Sequence, residues 1–160
     1  MLALIGAGVD EGGDVRSWVL LLYKVPSEPS ARRVYVWRKL KRLGALLLHD
    51  AVWVLPATPF TVEQFQWLAS EIREMGGSAM VWESRLLAAD EQDEALVAQF
   101  TAQVDTVYSA ILADLEREDA DAAELSRRFQ QAQTQDYFHS ALGARVRERL
   151  LAWREMRGGE

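Results

Sequence analysis

The residues with the most evident chemistry are the cationic side chains in one short stretch, SARRVYVWRKLKRLG, at positions 30–44. These cations are Arg32, Arg33, Arg38, Lys39, Lys41 and Arg42. No acidic residue occurs between Ser30 and Asp50, although the whole chain has a formal net charge of -6. Because unbalanced like charges repel one another, a cluster of this kind indicates an anionic partner.

Nucleic-acid phosphate is the leading partner, because Arg and Lys spaced along a helix can follow a phosphate backbone and a Tyr hydroxyl can hydrogen-bond to it. The predicted nucleic-acid-binding residues are Arg32, Tyr35, Arg38, Lys39, Lys41 and Arg42. Three other interpretations stay open, namely a different anion, an acidic protein surface that includes the helical half of the same chain, and a plain solvated surface. The overall balance of 18 Lys+Arg against 24 Asp+Glu argues against a protein that coats nucleic acid on all sides.

Arg33 differs from the other cations because it falls on the apolar side of the predicted helix, near its start. A long cationic side chain in that position commonly extends to solvent past the apolar surface. Otherwise it faces the sheet, where it pairs with an acid or holds an oxyanion. Arg33 is therefore the candidate for binding a small anion.

Other kinds of chemistry find little support in the sequence. The chain has no Cys, and its two histidines, His49 and His139, lie far apart and outside any metal-binding spacing. No serine-nucleophile motif or phosphate-binding loop is present. We therefore predict no catalytic residue, no metal site and no cofactor, and we expect the protein not to be an enzyme.

Composition indicates a folded protein of the cytoplasm. The 160 residues are 49% hydrophobic, which is enough to bury a core, and the lack of Cys fits a reducing compartment. No run approaches the roughly 18 apolar residues of a membrane span, and the amino terminus does not resemble a signal peptide. A membrane partner is not expected.

The periodicity of residues 17–86 predicts the order β-α-β-β-α-β, which is the ferredoxin-like arrangement of a four-stranded antiparallel sheet with both helices on one face. Residues 1–16 are rich in Gly and Asp and are interpreted as a flexible leader. The first helix ends at Gly44, and the second opens at Thr61–Gln64 with capping-box spacing. The predicted strands are 18–25, 45–48, 51–55 and 78–86, and the predicted helices are 31–43 and 61–75.

Residues 88–157 have a helical period and are predicted to form an extension of about three helices. The first helix carries Leu96, Phe100, Val104, Val107, Ile111 and Leu115, the second starts at Asp121, and the third carries Phe138, Leu142, Val146, Leu150 and Trp153. The fold class is therefore α+β, a ferredoxin-like βαββαβ unit with a helical carboxy-terminal extension. The extension either packs as an appendage or serves as a dimerisation arm, and we expect a homodimer.

Four tryptophans are expected to be buried, because they lie in strands or on the apolar side of the first helix. They are Trp18, Trp37, Trp53 and Trp82.

The stretch RVYVWRKLKRLGALLLHDAVWVLP, with WVLLLYKVPSEPS before it and EQFQWLASEIREMGGSAMVWESRL after it, resembles the amino-terminal domain of the bacterial chromate resistance regulator family. The likeness continues through LSRRFQQAQTQDYFHSALGARVRERL and covers roughly residues 17–155. It implies a chromate-responsive transcriptional regulator that binds the operator of a chromate efflux operon, with the contacts on the matching segment Arg32–Arg42. Two alternatives remain, an oxyanion sensor that binds chromate without touching DNA, and a dimerising interaction module.

Two departures limit what the resemblance implies. Full-length members carry a further carboxy-terminal domain, whereas this chain stops at Glu160, so any sensing or catalytic role of that domain is not expected here. The family also resembles the ferredoxin-like domain of phenylacetate-catabolism repressors and of the small CRISPR spacer-acquisition nucleases. Those nucleases keep an acid at the end of the first strand, where this chain has Tyr23-Lys24-Val25, and a metal-dependent nuclease is therefore not expected.

Overall fold

The computed structural model describes residues 16–49, 52–87 and 89–157 of the chain. The predicted leader lies outside the described residues except for Arg16, and so does Asp50 in the predicted turn. The chain divides into two compact units, Met1–Asp93 and Glu94–Glu160. The elements are β1 (Trp18–Lys24), α1 (Ser30–Leu43), β2 (Leu46–Leu48), β3 (Val52–Pro56), α2 (Pro59–Glu74), β4 (Ser78–Ser84), α3 (Ala89–Leu115), α4 (Ala122–Gln133) and α5 (Ala141–Arg157).

The four strands form one sheet in the order β2-β3-β1-β4, and every neighbouring pair is antiparallel. Leu21 of β1 lies opposite Trp53 of β3 and Val81 of β4, and residues directly opposite one another share a face of the sheet. The order and direction of the strands confirm the predicted ferredoxin-like α+β fold and the helices that follow it.

Both α1 and α2 lie on the sheet face that carries Leu21 and Trp53. The core between the helices and the sheet consists of fully or nearly fully buried side chains: Val19, Leu21, Val36, Leu40, Leu55, Phe65, Leu68 and Ile72. Burying each of these side chains stabilises the unit by about 1.5–3 kcal/mol relative to exposure. The core fixes which side of α1 points away from the sheet.

The helix α1 ends where the sequence predicts. Gly44 adopts a left-handed conformation, with φ of 74°, and its backbone N–H donates to the carbonyls of Leu40 and Lys41. A residue with a Cβ is strained in this conformation, which explains the glycine at the helix terminus.

The start of α2 corrects the prediction that the helix opens at Thr61. The helix begins at Pro59, and Thr58 is the N-cap. The Thr58 hydroxyl accepts a hydrogen bond from the backbone N–H of Thr61 at 3.0 Å, and the Thr61 hydroxyl accepts one from the N–H of Thr58 at 2.8 Å. Proline at the first helical position has no N–H to leave unsatisfied, so Pro59 starts the helix rather than blocking it.

On the opposite face of the sheet, Trp18 is buried and contacts the first turns of α3. Its indole Nε1–H donates to Oδ1 of Asp93 at 2.6 Å. Both residues belong to the first unit, so this hydrogen bond attaches the start of α3 to β1 within that unit.

The second unit has its own core, formed by α3, α4 and α5. The buried members are Val104, Tyr108, Ile111, Leu115, Leu125, Phe129, Ala132, Val146 and Leu150. Phe138 precedes α5, whereas the sequence pattern placed it on that helix, and its ring centroid lies 5.9 Å from that of Phe100. None of the helices in the described part of the chain is long and apolar enough to cross a membrane.

Candidate functional site

The first helix of the sheet unit, α1, carries all of the candidate binding residues and presents them in three directions. Val36 and Leu40 point to the sheet and are fully buried. Since successive residues of a helix are about 100° apart, residues 32, 35 and 39 lie on one flank, residues 33, 37 and 41 on the other, and residues 34, 38 and 42 on the outside.

The flank with Arg32, Tyr35 and Lys39 faces α2. The Arg32 guanidinium donates a 2.7 Å hydrogen bond to the carbonyl of Met75, at the carboxyl end of α2. A cation is favourable there because the last carbonyls of a helix carry partial negative charge. This contact holds the start of α1 against the end of α2.

Glu71 of α2 contacts the other two side chains of this flank. The Tyr35 hydroxyl donates to its Oε2 at 2.6 Å, and Lys39 Nζ lies 4.0 Å from its Oε1. Lys39 Nζ also lies 5.5 Å from the centroid of the Tyr35 ring. The hydrogen bond to Glu71 raises the pKa of Tyr35, with smaller contributions from desolvation and from the Glu71 charge. Thus Arg32, Tyr35 and Lys39 have partners on α2.

On the side away from α2 and the sheet, α1 presents a group of residues that we call the α1 outer surface: Val34, Trp37, Arg38, Lys41 and Arg42. Every member is exposed to solvent. Three of the five are cations, so this is the part of the predicted site that is best placed to meet an anionic partner. The sequence pattern brought Arg38, Lys41 and Arg42 together correctly on this side of the helix.

Trp37 and Trp82 correct the prediction that all four tryptophans, Trp18, Trp37, Trp53 and Trp82, are buried. Trp18 and Trp53 are 2% and 5% exposed, as predicted, but Trp37 is 51% and Trp82 is 54% exposed. Trp37 lies about 100° round the helix from Val36, on the flank away from α2. Trp82 lies opposite Leu20, on the sheet face that points away from α1 and α2.

Lys41 connects Trp37 to the core. Its Nζ lies 5.7 Å from the centroid of the exposed Trp37 ring and 5.9 Å from that of the buried Trp53 ring. A cation within about 6 Å of an indole ring is attracted by the negative potential of its face. The exposed indole is therefore held beside a cation. The sequence pattern placed Trp37 in the core and so did not indicate it as a site residue.

Arg33 is exposed, and its charge acts on Tyr23 near the end of β1. Burial raises the pKa of Tyr23, whereas a hydrogen bond from Trp53 and the Arg33 charge act in the opposite direction. Arg33 is thus exposed to solvent, which is the first of the two options left open for it, and its pairing with an acid or an oxyanion stays a prediction.

The described residues contain no group of three or more His, Cys, Asp or Glu side chains close enough to hold a metal ion. The two histidines have positive φ angles, 50° for His49 and 54° for His139. Both belong to segments between regular elements, where such a conformation reverses the chain.

The fold and the site together define a ferredoxin-like α+β unit with a cationic and aromatic surface on its first helix, followed by a three-helix unit. A family model described as "Protein ChrB, N-terminal" matches residues 33–128, from α1 into α4. The chain therefore belongs to the ChrB amino-terminal domain family, which confirms its resemblance to the chromate resistance regulators.

A curated relative, Protein ChrB of Cupriavidus metallidurans, is 34% identical over 118 residues. The alignment covers 69% of this chain and 35% of that protein, so the chain spans about a third of the length of its relative. No solved structure gives a significant match.

Proposed function

We propose that this chain is a DNA-binding domain of a chromate-responsive transcriptional regulator, and that the α1 outer surface contacts the phosphates of operator DNA. Membership of the ChrB family supports the role in chromate resistance. The observation that carries the DNA contact is the exposure of Arg38, Lys41 and Arg42 on one side of α1 in a chain of net charge -6. The proposal places the protein in the cytoplasm and assigns it no catalytic step.

The mechanism is electrostatic. Cations that neutralise phosphates release condensed counterions, which favours binding and makes it dependent on salt. Phosphate contacts fix the position and orientation of a protein on the duplex but do not read its sequence. Recognition of a particular operator therefore requires contacts beyond these three cations.

The test is the triple variant R38Q/K41Q/R42Q, with binding to the chromate operon's promoter and to random duplex DNA measured by fluorescence anisotropy across a range of salt concentrations. We expect weaker binding to both DNAs. We also expect the slope of log K against log salt to become shallower by about 0.9 for each phosphate that the variant no longer neutralises.

The matched control is R85Q/R127Q/R145Q, which removes the same number of positive charges from exposed positions outside α1. It keeps the wild-type salt slope if the contact is local to α1. Equal affinity and equal slope for the α1 variant and the wild type would contradict the proposal.

A second candidate function is the sensing of an oxyanion such as chromate, which the position of Arg33 near the Tyr23 phenol favours. A guanidinium and a phenol offer several hydrogen-bond donors to a tetrahedral anion. If chromate binds at this position, it should raise the melting temperature more than sulfate does at equal ionic strength. In R33Q the two anions should raise the melting temperature equally. Equal shifts by the two anions leave this function without support.

We also propose that the chain forms a homodimer through the sheet face that points away from α1 and α2. Met80 and Trp82 of β4 are exposed on this face, and apolar side chains grouped on a surface commonly mark an interface. Substituting Trp82 by Glu should shift the mass measured by light scattering from dimer to monomer. W67E, which alters an exposed tryptophan of α2, is the matched control and should remain dimeric.

A further inference from the structure

Trp37 is an unusual member of a cationic surface. Half of its side chain is exposed, and so is 43% of Val34 one turn earlier on the same side of the helix. Arg38 follows Trp37 in the chain, and Lys41 lies about one turn further along the helix. Exposing a large aromatic ring to water is unfavourable, so its place among exposed cations and beside the exposed Val34 indicates a partner that covers it.

The orientation of the indole is restrained. Lys41 Nζ lies 5.7 Å from the centroid of the Trp37 ring and 5.9 Å from that of the buried Trp53 ring. Because Trp53 is part of the core, this arrangement limits the movement of Lys41, and Lys41 in turn limits that of Trp37. A partner would thus meet a ring that is already partly ordered, which lowers the entropic cost of binding.

The neighbours of Trp37 decide the chemistry of the partner. An apolar protein surface would have to desolvate Arg38 and Lys41, which is costly without paired acids. A nucleotide instead offers a flat apolar base for the ring and a phosphate for the cations, a combination typical of single-strand binding surfaces. In an undistorted duplex the faces of the bases are occupied by their neighbours, so stacking requires an unpaired base or an opened base step.

We propose that Trp37 stacks on an unstacked base of the DNA bound to α1, and that this surface prefers single-stranded or locally opened DNA over an undistorted duplex. The inference rests on the proposed function and adds a selectivity that phosphate contacts alone do not provide. In operator DNA, the stacked base would lie at a kinked or opened step.

The experiment compares three probes of one sequence: a single strand, its perfect duplex, and the same duplex with a short central mismatched bubble. Wild-type protein should bind the single strand and the bubble more tightly than the duplex. W37A should weaken binding to these two probes by about 5- to 150-fold, the range found for the loss of one stacked base, with little effect on the duplex. W37F, which keeps an aromatic face, should retain most of the affinity.

W67A is the matched control, because Trp67 is an exposed tryptophan of α2 and is 59% exposed. It should bind all three probes as the wild type does. The salt slope of W37A should equal that of the wild type, because every cation that meets a phosphate is still present.

Several outcomes separate this inference from the proposed function. If the wild type binds all three probes equally and W37A matches it while R38Q/K41Q/R42Q loses affinity, the stacking role is wrong and the DNA-binding function stands. An equal loss by W37A on all three probes also overturns the selectivity. If the wild type binds none of the probes, the proposed function and this inference both fail.

Discussion

The indole of Trp18 donates a 2.6 Å hydrogen bond to Oδ1 of Asp93, a residue 75 positions further along the chain. Trp18 is the first residue of β1, and Asp93 lies in the first turns of α3. Both are buried, with 2% and 8% of their surfaces exposed. A buried polar pair of this kind is costly to break, because a partner left alone has neither its hydrogen bond nor a water molecule to replace it.

Substituting Asp93 by Ala should therefore destabilise the protein by about 1–3 kcal/mol, the cost of a buried donor without an acceptor. D93N keeps an amide oxygen that can accept the bond and should cost less. Urea unfolding followed by circular dichroism measures both variants, with the exposed D119N as the control. A free energy of unfolding for D93A equal to that of the wild type would show that the bond does not hold the start of α3 to β1.

The sequence predicted the parts of the fold that depend on neighbouring residues. The strands, the helix α1 and its glycine cap follow from local periodicity and backbone conformation, and they lie close to where the pattern indicated them. The bond between Trp18 and Asp93 depends on two elements far apart in the chain, so no local signal predicts it. Of the two tryptophans in the α1–β3 region, the pattern assigned Trp53 correctly and Trp37 incorrectly, because burial on a helix flank depends on which element lies beside it.

A pair of adjacent glycines offers a test of close packing at the end of α2. A Cβ on Gly77 would lie 2.4 Å from the carbonyl oxygen of Lys24 and 2.9 Å from Cγ2 of Ile72. The backbone oxygen belongs to the end of β1 and cannot move without disturbing the sheet. We expect G77A to lower the free energy of unfolding by about 2 kcal/mol or more.

Gly76 is the matched control for this substitution. It has a φ of 84°, but a Cβ there would meet no atom within 4 Å. G76A should therefore cost only about 1 kcal/mol, the strain of the left-handed conformation. Equal effects of the two substitutions in thermal or urea unfolding would mean that the predicted clash with Lys24 is relieved by a small shift of the loop.

The helical unit contains tyrosines whose titration should affect stability at high pH. Tyr108 is fully buried and donates a 2.9 Å hydrogen bond to Oδ2 of Asp136. Burial, followed by this hydrogen bond and the Asp136 charge, raises the pKa of Tyr108 far above its ordinary value. Burial also raises the pKa of Tyr137 to about 12.

Because these pKa values are higher in the folded state than in the unfolded state, the folded protein binds the protons more tightly. The resulting stability is fully present below the ordinary tyrosine pKa of 10.0 and is lost as the pH rises beyond it, between 10.0 and about 12 for Tyr137. The free energy of unfolding should fall steeply over this interval.

The Y108F substitution tests the contribution of Tyr108. It should lower the free energy of unfolding by about 1–3 kcal/mol at neutral pH, because it removes the hydrogen-bond donor to Asp136. It should also make the decline in stability at high pH shallower. An unchanged pH profile in Y108F would show that Tyr108 does not contribute to it.

The two flanks of α1 differ in how far the sequence could predict their roles. Charge alone grouped Arg32 and Lys39 with Arg38, Lys41 and Arg42, because the sequence does not reveal where α2 lies. The structure places Arg32 and Lys39 against Met75 and Glu71 of α2. The sequence therefore shows how many cations the helix carries. It does not show which of them pack against α2 and which are exposed on the outer side of α1.

The hydrogen bond from Tyr35 to Glu71 provides a direct test of that division. If Tyr35 holds α1 against α2, Y35F should lower the free energy of unfolding by about 0.5–1.5 kcal/mol, a modest amount because Tyr35 is 40% exposed. Its affinity for duplex DNA should stay within about twofold of the wild type, because Y35F removes no cation. E71Q, which removes a negative charge near Lys39, should bind DNA at least as tightly as the wild type. Fluorescence anisotropy gives the affinity for DNA and urea unfolding gives the stability of the same protein samples. A large drop in the DNA affinity of Y35F without a drop in its stability would show that Tyr35 contacts DNA.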